Sequence, residues 1–236
     1  MPDRRILIIG AGGLGAPAAW ALARAGTARI SLVDPDPVDL SNLARQVIYR
    51  IEDLGTPKVE AAANRLRIAF PSAEIEARAI AFDANNGPIL ATAHDFMIDA
   101  TDDPSVKFLI NDIACAVDRP FVYGGVLGMS GQAMTVLPGR SACLRCLFEA
   151  PPEPGEIASC RDAGIIGPAA GAIGEIQAVE ALAYIRGETP TLAGRILTYD
   201  ATISARFRLT AVAAREKCAC GAARRAKSAA AETAHQ

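Results

Sequence analysis

Long apolar runs are missing from this sequence of 236 residues. No stretch approaches the ~18–20 apolar residues that cross a bilayer, so no membrane span is expected. Aromatic residues make up only 5 % of the chain and there is no basic block, which argues against a nucleic-acid surface. A net charge of −2 gives no reason to expect a polyanionic partner. No apolar segment with a cleavage site precedes the first apolar run, as a secretory leader would require, and the reading is cytosolic. In that compartment the six cysteines are expected as metal ligands, catalytic thiols or core residues rather than disulfides. There is no internal repeat.

What is present alternates. Apolar runs of four to seven residues are separated by helical stretches, the βαβ pattern of a mostly parallel sheet. Strands are expected at Ile6–Ile9, Ile30–Val33, Glu74–Ala81, Phe96–Ala100, Phe121–Tyr123 and Gln132–Leu137. Helices are expected over Gly13–Ala25, stopped by Gly26; from Thr56 as cap and Pro57 as first residue to Phe70; from Pro104 to Val117; and from Pro168 to Gly187. The last of these should bury Ile173, Ile176, Val179 and Leu182. Arg195–Asp200 and Arg206–Leu209 read as a closing hairpin. The expected architecture is α/β: a doubly wound, mostly parallel Rossmann-like sheet with a C-terminal antiparallel extension. Residues 1–221 should form one domain, with a crossing loop over 138–167 and a loose tail over 222–236.

Gly10-x-Gly12-Gly13-x-Gly15 follows the first strand and opens a helix. Glycines there permit a tight turn and let phosphate approach N–H groups at a helix N-terminus. Asp34 ends the next strand, nineteen residues beyond Gly15, where a carboxylate can accept from ribose hydroxyls. These features suit NAD as well as ATP. Beyond them lie Asn42, Arg45 and Gln46, which a solvated helix start capped by Ser41 would also explain. Lys58 is expected near the start of its helix, where the macrodipole disfavours a cation. A solvent-facing charge is the plain reading; with Arg45 beside it, a polyphosphate is the sharper one, and together they favour a nucleoside triphosphate.

Asp102 leaves a strand expected to run parallel to the first two, so it shares their crevice. A carboxylate beside a triphosphate commonly holds magnesium. Asp99 is read as a structural, paired acid, and Asp103 as a possible cap for the helix at Pro104. Cys143-x-x-Cys146 has the spacing of zinc ligands, and Cys218-x-Cys220-Gly221 supplies a second pair. A thiol–disulfide pair competes, without a thioredoxin-like unit to support it. Cys160 stands beside Arg161, which can lower a thiol pKa; nucleophile and incidental loop thiol are equally open. Cys115 is expected in the core, His94 at the surface, His235 in the tail.

These motifs in this order resemble the ThiF/MoeB/HesA family, bacterial relatives of ubiquitin-activating enzymes. The resemblance runs from Arg5 to Gly221. Asp34-Pro-Asp36-Pro-Val-Asp-Leu-Ser-Asn42-Leu-Ala-Arg45-Gln46 is similar to the family's D-x-D-x-V-x-x-S-N-L-x-R-Q. Gly55-Thr-Pro-Lys58 is similar to G-x-x-K, and Asp99-Ala-Thr-Asp102-Asp103 to D-x-T-D-N. The two cysteine pairs, Cys160-Arg-Asp-Ala-Gly and the Gln177-Ala-Val-Glu-Ala helix follow.

The resemblance implies an ATP-dependent adenylyltransferase with magnesium and structural zinc. Its substrate would be the C-terminal glycine carboxylate of a small ubiquitin-fold sulfur carrier ending in Gly-Gly. A separate sulfurtransferase would then make the thiocarboxylate, for thiamine, molybdopterin or another product. A homodimer is also implied. By motif match, the glycines, Asp34, Asp36, Asn42, Arg45, Gln46, Lys58 and Asp102 bind the nucleotide. Arg45, Lys58 and Asp102 act in catalysis, Cys160 acts in sulfur transfer, and the four paired cysteines hold zinc. Two departures stand out. Many relatives carry a helical arm with an arginine for the partner's site, and here only Met1–Arg5 precede the strand. Lys217 stands where the last pair's first cysteine is expected. A non-catalytic relative that binds a ubiquitin-fold partner, or an NAD-dependent oxidoreductase, would be the alternatives.

Overall fold

The computed structural model describes residues 4–26, 29–153, 164, 166–202, 206–218 and 220. In chain order these form β1 (Arg5–Ile9), α1 (Gly15–Ala25), β2 (Arg29–Val33), α2 (Lys58–Ala69), β3 (Ile75–Arg78), α3 (Gly87–Thr92), β4 (Phe96–Asp99), α4 (Pro104–Ala116), β5 (Phe121–Leu127), β6 (Ser130–Val136), α5 (Leu144–Leu147), α6 (Gly167–Ile185), β7 (Arg195–Asp200) and β8 (Arg206–Ala211). The sheet order is β3-β2-β1-β4-β5-β6-β7-β8. The first five strands are parallel and the last three join antiparallel.

β1 sits between β2 and β4 because its side chains are apolar on both faces. Ile6 and Ile8 enter one core cluster; Leu7 and Ile9 enter the other. The chain moves outward from β1 to β2 and β3, then crosses back to β4 on the opposite side. The carboxyl ends of β1 and β4 therefore open side by side, at the point where doubly wound sheets bind ligands.

α1 ends as expected: Gly26 takes φ 63° and its N–H bonds back to Leu22 and Ala23. β5 runs past its expected end at Tyr123 through Gly124 and Gly125. Those glycines are not breakers. A Cβ on Gly124 would collide with the Gln177 side chain, so the bare backbone lets α6 lie on the strand. α3 was not expected; a Cβ on Gly87 would meet Ile113 at 2.5 Å, so close packing holds it.

Two local expectations are corrected. Thr56 does not cap α2 and Pro57 is not its first residue; Pro57 is the N-cap without a side-chain hydrogen bond, and Lys58 begins the helix. The 56–58 segment instead runs beside 36–38, with Lys58 N–H bonding Asp36 O at 2.9 Å and Val38 N–H bonding Thr56 O at 2.8 Å. His94 is not at the surface. It is buried beneath β2, with Nδ1 2.7 Å from Leu90 O and Nε2 2.8 Å from Ser31 Oγ, because the turn ending α3 folds it inward.

α6 buries Ile173 as expected and packs Ile176 and Leu182 partly buried against the core, but Val179 faces out and the rest of its buried face is small. Ala169, Ala170, Ile173, Gly174, Gln177, Ala178, Ala181 and Ile185 face in, while Val179 is 59 % exposed. The helix packs on α1, and a Cβ on Gly174 would strike Leu14 O. Small residues, not large apolar ones, mark the contact. Among the described residues no helix is long and apolar enough to cross a membrane.

Glu180 is buried on α6 and accepts from Thr135 Oγ1 at 2.6 Å, Leu192 N at 2.8 Å and Thr191 N at 3.1 Å. Truncation would strand three donors. Glu180→Ala is expected to lower unfolding free energy by about 3 kcal/mol in urea denaturation, and Glu180→Gln by less, since one acceptor remains. Equal stability of all three proteins would show the network to be dispensable.

Candidate active site

The crevice is built by backbone that approaches more closely than a side chain allows. Gly10, at φ 97°, lies against the exit of β4: a Cβ there would stand 2.6 Å from Ala100 O. Ala100 N–H bonds Ile9 O at 2.8 Å, and Gly10 N–H bonds Val33 O at 2.8 Å. The exits of β1, β2 and β4 are thereby joined. A Cβ on Gly13 would stand 3.2 Å from Ala170 Cβ, so the start of α6 presses on the same loop.

α1 and α6 both begin there without a side-chain cap and without an acid in the first turn. Each N-terminus carries roughly half a positive charge, and among the described residues no acid in either first turn neutralises it. The arrangement favours an anion at the glycine loop.

Asp34 sits at the end of β2, 7 % exposed. Its Oδ2 accepts from Ala11 N at 2.7 Å and its Oδ1 from Asp36 N at 2.9 Å. Burial raises its pKa, against the pull of the Lys58 charge. Each oxygen keeps capacity for another donor. Tyr49, which sequence reasoning missed, is buried and donates to Ala11 O at 2.6 Å, fixing the loop from behind. Its phenol is held far up by that burial.

Lys58 stands on the first residue of α2, one place earlier than expected, and is 5 % exposed. Its Nζ lies 2.8 Å from Asp36 Oδ2. The Asp36 carboxylate offsets the unfavourable end of the helix dipole. Lys58 is therefore a placed, paired cation and not a solvent-facing charge. Asn42, Arg45 and Gln46 lie on the turn over 40–46. Arg45 Nη1 donates to Ser41 O at 3.1 Å. A Cβ on Gly12 would be 3.3 Å from Gln46 Nε2, and one on Gly167 would be 3.4 Å from Arg45 Cα. That turn bridges the glycine loop and the start of α6.

Three aspartates at the β4 exit have separate surroundings. Asp99 is fully buried and bonded by Lys107 Nζ at 3.1 and 3.2 Å and by Thr101 Oγ1 at 2.8 Å. It is the paired structural acid expected, and Lys107, not anticipated from sequence, is its partner. Lys107 also donates to Gly124 O at 2.5 Å and lies 5.1 Å from the Tyr123 ring centroid. Asp103 caps α4, accepting from Ser105 N at 2.7 Å and Ser105 Oγ at 2.6 Å; the hydroxyl bond holds its pKa down. Asp102 is exposed and has no ion pair among the described residues.

The two cysteine pairs meet although 75 and 74 residues separate their members. Cys143–Cys146 sulfurs are 3.9 Å apart, Cys143–Cys218 3.5 Å and Cys146–Cys220 3.4 Å. All four lie within 4.8 Å of one another. Zinc–sulfur bonds of ~2.3 Å in a tetrahedron require sulfurs about 3.8 Å apart, so the donor set suits that ion. The one-residue spacing of Cys218 and Cys220 still delivers both thiols. α5 is held for this by Leu144 N–H donating to Asn111 Oδ1 at 2.9 Å and by Arg145 pairing with Asp112 at 2.7 and 2.8 Å. Cys115 is half-buried against the second core cluster. Cys160 and the 222–236 tail lie outside the described residues.

We expect about one zinc per chain by metal analysis of protein purified without chelator. Cys143→Ser should remove it and lower the melting temperature. Metal-free wild-type protein would leave the four thiols without that role.

Comparison with known proteins bears on this geometry. The ThiF family model matches residues 2–222. A Thermus thermophilus protein named sulfur carrier protein adenylyltransferase is 36 % identical over 222 residues, covering 92 % of this chain and 82 % of its own. The Haloferax volcanii SAMP-activating enzyme E1 is 40 % identical over 197 residues, covering 84 % of this chain and 73 % of its own. A Candida albicans adenylyltransferase and sulfurtransferase, UBA4, is 39 % identical, but the match spans only 43 % of its length. The fold is similar to that of the microcin C7 biosynthetic enzyme MccB in complex with N-formylated MccA: TM-score 0.78 at 18 % identity, over 92 % of this chain and 67 % of that one. The chain belongs to the ThiF family.

Proposed function

We propose that this protein uses ATP to adenylylate the C-terminal glycine carboxylate of a small ubiquitin-fold sulfur carrier. Relatives that share more than a third of its residues are named for activating sulfur carrier or SAMP proteins. The observation that carries the reading is the charge arrangement: two uncapped helix N-termini and the buried Lys58 gather around one glycine loop. A dinucleotide's diphosphate needs less.

In this reading Asp34 accepts ribose hydroxyls, and the glycine-loop N–H groups, Asn42, Arg45 and Lys58 hold the phosphates. The carrier's carboxylate oxygen attacks the α-phosphorus. The bond from that phosphorus to the bridging oxygen breaks, and pyrophosphate leaves with the electron pair. The acyl-adenylate remains. Fixed cations and N–H dipoles stabilise the charge that gathers on the leaving group. Lys58 can swing its charge toward phosphate because its partner, Asp36, is exposed and solvated. Asp102, unencumbered beside two committed aspartates, would hold magnesium, which supplies further charge neutralisation when bound. The four cysteines would hold a structural zinc that clamps the C-terminal segment onto α5. A separate sulfurtransferase would convert the adenylate to a thiocarboxylate, with Cys160 available to that step. A homodimer in the cytoplasm completes the proposal.

The test is ATP–pyrophosphate exchange in the presence of a carrier ending in Gly-Gly. Asp102→Ala should lose roughly 10²–10³ of the exchange rate with an unchanged melting temperature. Near-wild-type exchange by that variant would remove Asp102 from the mechanism. Tight carrier binding with no exchange at any ATP concentration would instead favour a non-catalytic partner-binding role.

A further inference from the structure

Ala11 is held by two hydrogen bonds that act on different peptides. Its N–H belongs to the Gly10–Ala11 peptide and donates to Asp34 Oδ2 at 2.7 Å. Its carbonyl belongs to the Ala11–Gly12 peptide and accepts from the Tyr49 hydroxyl at 2.6 Å. A carbonyl oxygen has no proton to give, so the phenol is the donor. Ala11 is fully buried, and Tyr49 packs into the first core cluster. Among the described residues no backbone N–H reaches Ala11 O. The phenol therefore satisfies a buried acceptor that would otherwise be stranded. Tyr49 lies beyond Gln46, where the sequence motif ends, and no spacing marks it.

The consequence falls on the next N–H. A trans peptide is planar, with its N–H pointing opposite to its C=O, and no described peptide bond is cis. With Ala11 O turned inward to Tyr49, Gly12 N–H points away from the core. Gly12 is only half-buried, and its N–H has no hydrogen-bond partner among the described residues. The bond to Asp34 cannot set this direction. It fixes the preceding peptide, and rotation about Ala11 ψ and Gly12 φ would still turn the second one. Gly12 O accepts from Ala16 N at 3.1 Å, so Gly12 stands at the entry to α1, where the macrodipole adds positive potential. Burial first, and then the charges of Asp34 and Asp53, push the Tyr49 phenol far above its ordinary pKa. The hydroxyl keeps its proton, and a carbonyl that accepts a bond polarises its own peptide and strengthens the N–H as a donor.

An outward N–H at a helix entry suits a charged acceptor that carries no proton of its own, and a phosphate oxygen is one. We propose that Tyr49 is a positioning residue for the bound nucleotide: its hydroxyl turns the Ala11–Gly12 peptide so that Gly12 N–H donates to a phosphate oxygen. This rests on the nucleotide reading above and adds the residue that orients the glycine loop. Tyr49 itself touches no part of the nucleotide. It acts through one peptide, from the core side.

The experiment compares wild type with Tyr49→Phe, which fills the same core space and deletes only the hydroxyl. Binding of ATP is measured by calorimetry and of adenosine by displacement, both without carrier, and the Gly12 amide is followed by NMR. Tyr49→Phe should weaken ATP about tenfold, as expected for a misaligned bond to a charged group, and leave adenosine, which lacks phosphate, unchanged. In wild type the Gly12 amide proton should move downfield on adding ATP and not on adding adenosine. A folded Tyr49→Phe that loses both ligands equally, or neither, overturns the assignment, since a purely structural tyrosine would not single out the phosphates. If Tyr49→Phe does not fold, the wild-type spectrum decides: a Gly12 amide unmoved by saturating ATP, or moved as far by adenosine, overturns it. Failure of wild type to bind ATP at all would sink the adenylyltransferase reading, and this assignment with it.

Discussion

The crevice exists because three backbone segments come closer together than a methyl group would permit. Gly10 touches the exit of β4, Gly13 touches the first turn of α6, and Gly174 touches Leu14 at the entry to α1. Each contact is a place where a Cβ would push two elements apart. Together they draw the ends of three parallel strands and the N-termini of two helices onto one short loop. The two helix N-termini meet there because those glycines let them.

Such a convergence gathers charge in a buried place, and the surrounding polar groups manage it. Asp99 and Lys107 are removed from water as a pair, with Thr101 and Gly124 meeting their remaining bonding capacity. That pairing matters because an unpartnered buried charge is strongly destabilising. Asp34 accepts two backbone N–H groups while Lys58 lowers the cost of its burial. Asp103 is spent on its helix. Among the described residues Asp102 forms no ion pair at the surface, and the Asp34 carboxylate keeps lone pairs beyond its two N–H bonds.

Part of this was legible in the chain. The glycine fingerprint, the acid at the end of β2, the parallel strands and the closing hairpin could be read because each depends on local pattern and spacing. The division of labour among Asp99 and Asp103 was readable for the same reason, since burial follows the apolar run and capping follows the Asp-Pro step. α6 misled. Its buried face is written in alanine and glycine, which hydrophobicity marks poorly, so Val179 looked inward and is exposed. His94 misled because α3, a short helix opened by Gly-Pro, carries it under the sheet.

The sequence by itself determined the order of the strands, the glycine fingerprint with its acid, and the two cysteine pairs. Those are properties of residues and their neighbours along the chain. Only the tertiary structure decided partners across long separations: Lys58 with Asp36, Asp99 with Lys107, Tyr49 with Ala11, and Cys143 with Cys218. Hydrogen bonds and ion pairs act over about 3 Å, and no spacing rule brings residues from different strands and helices within that range. Packing does.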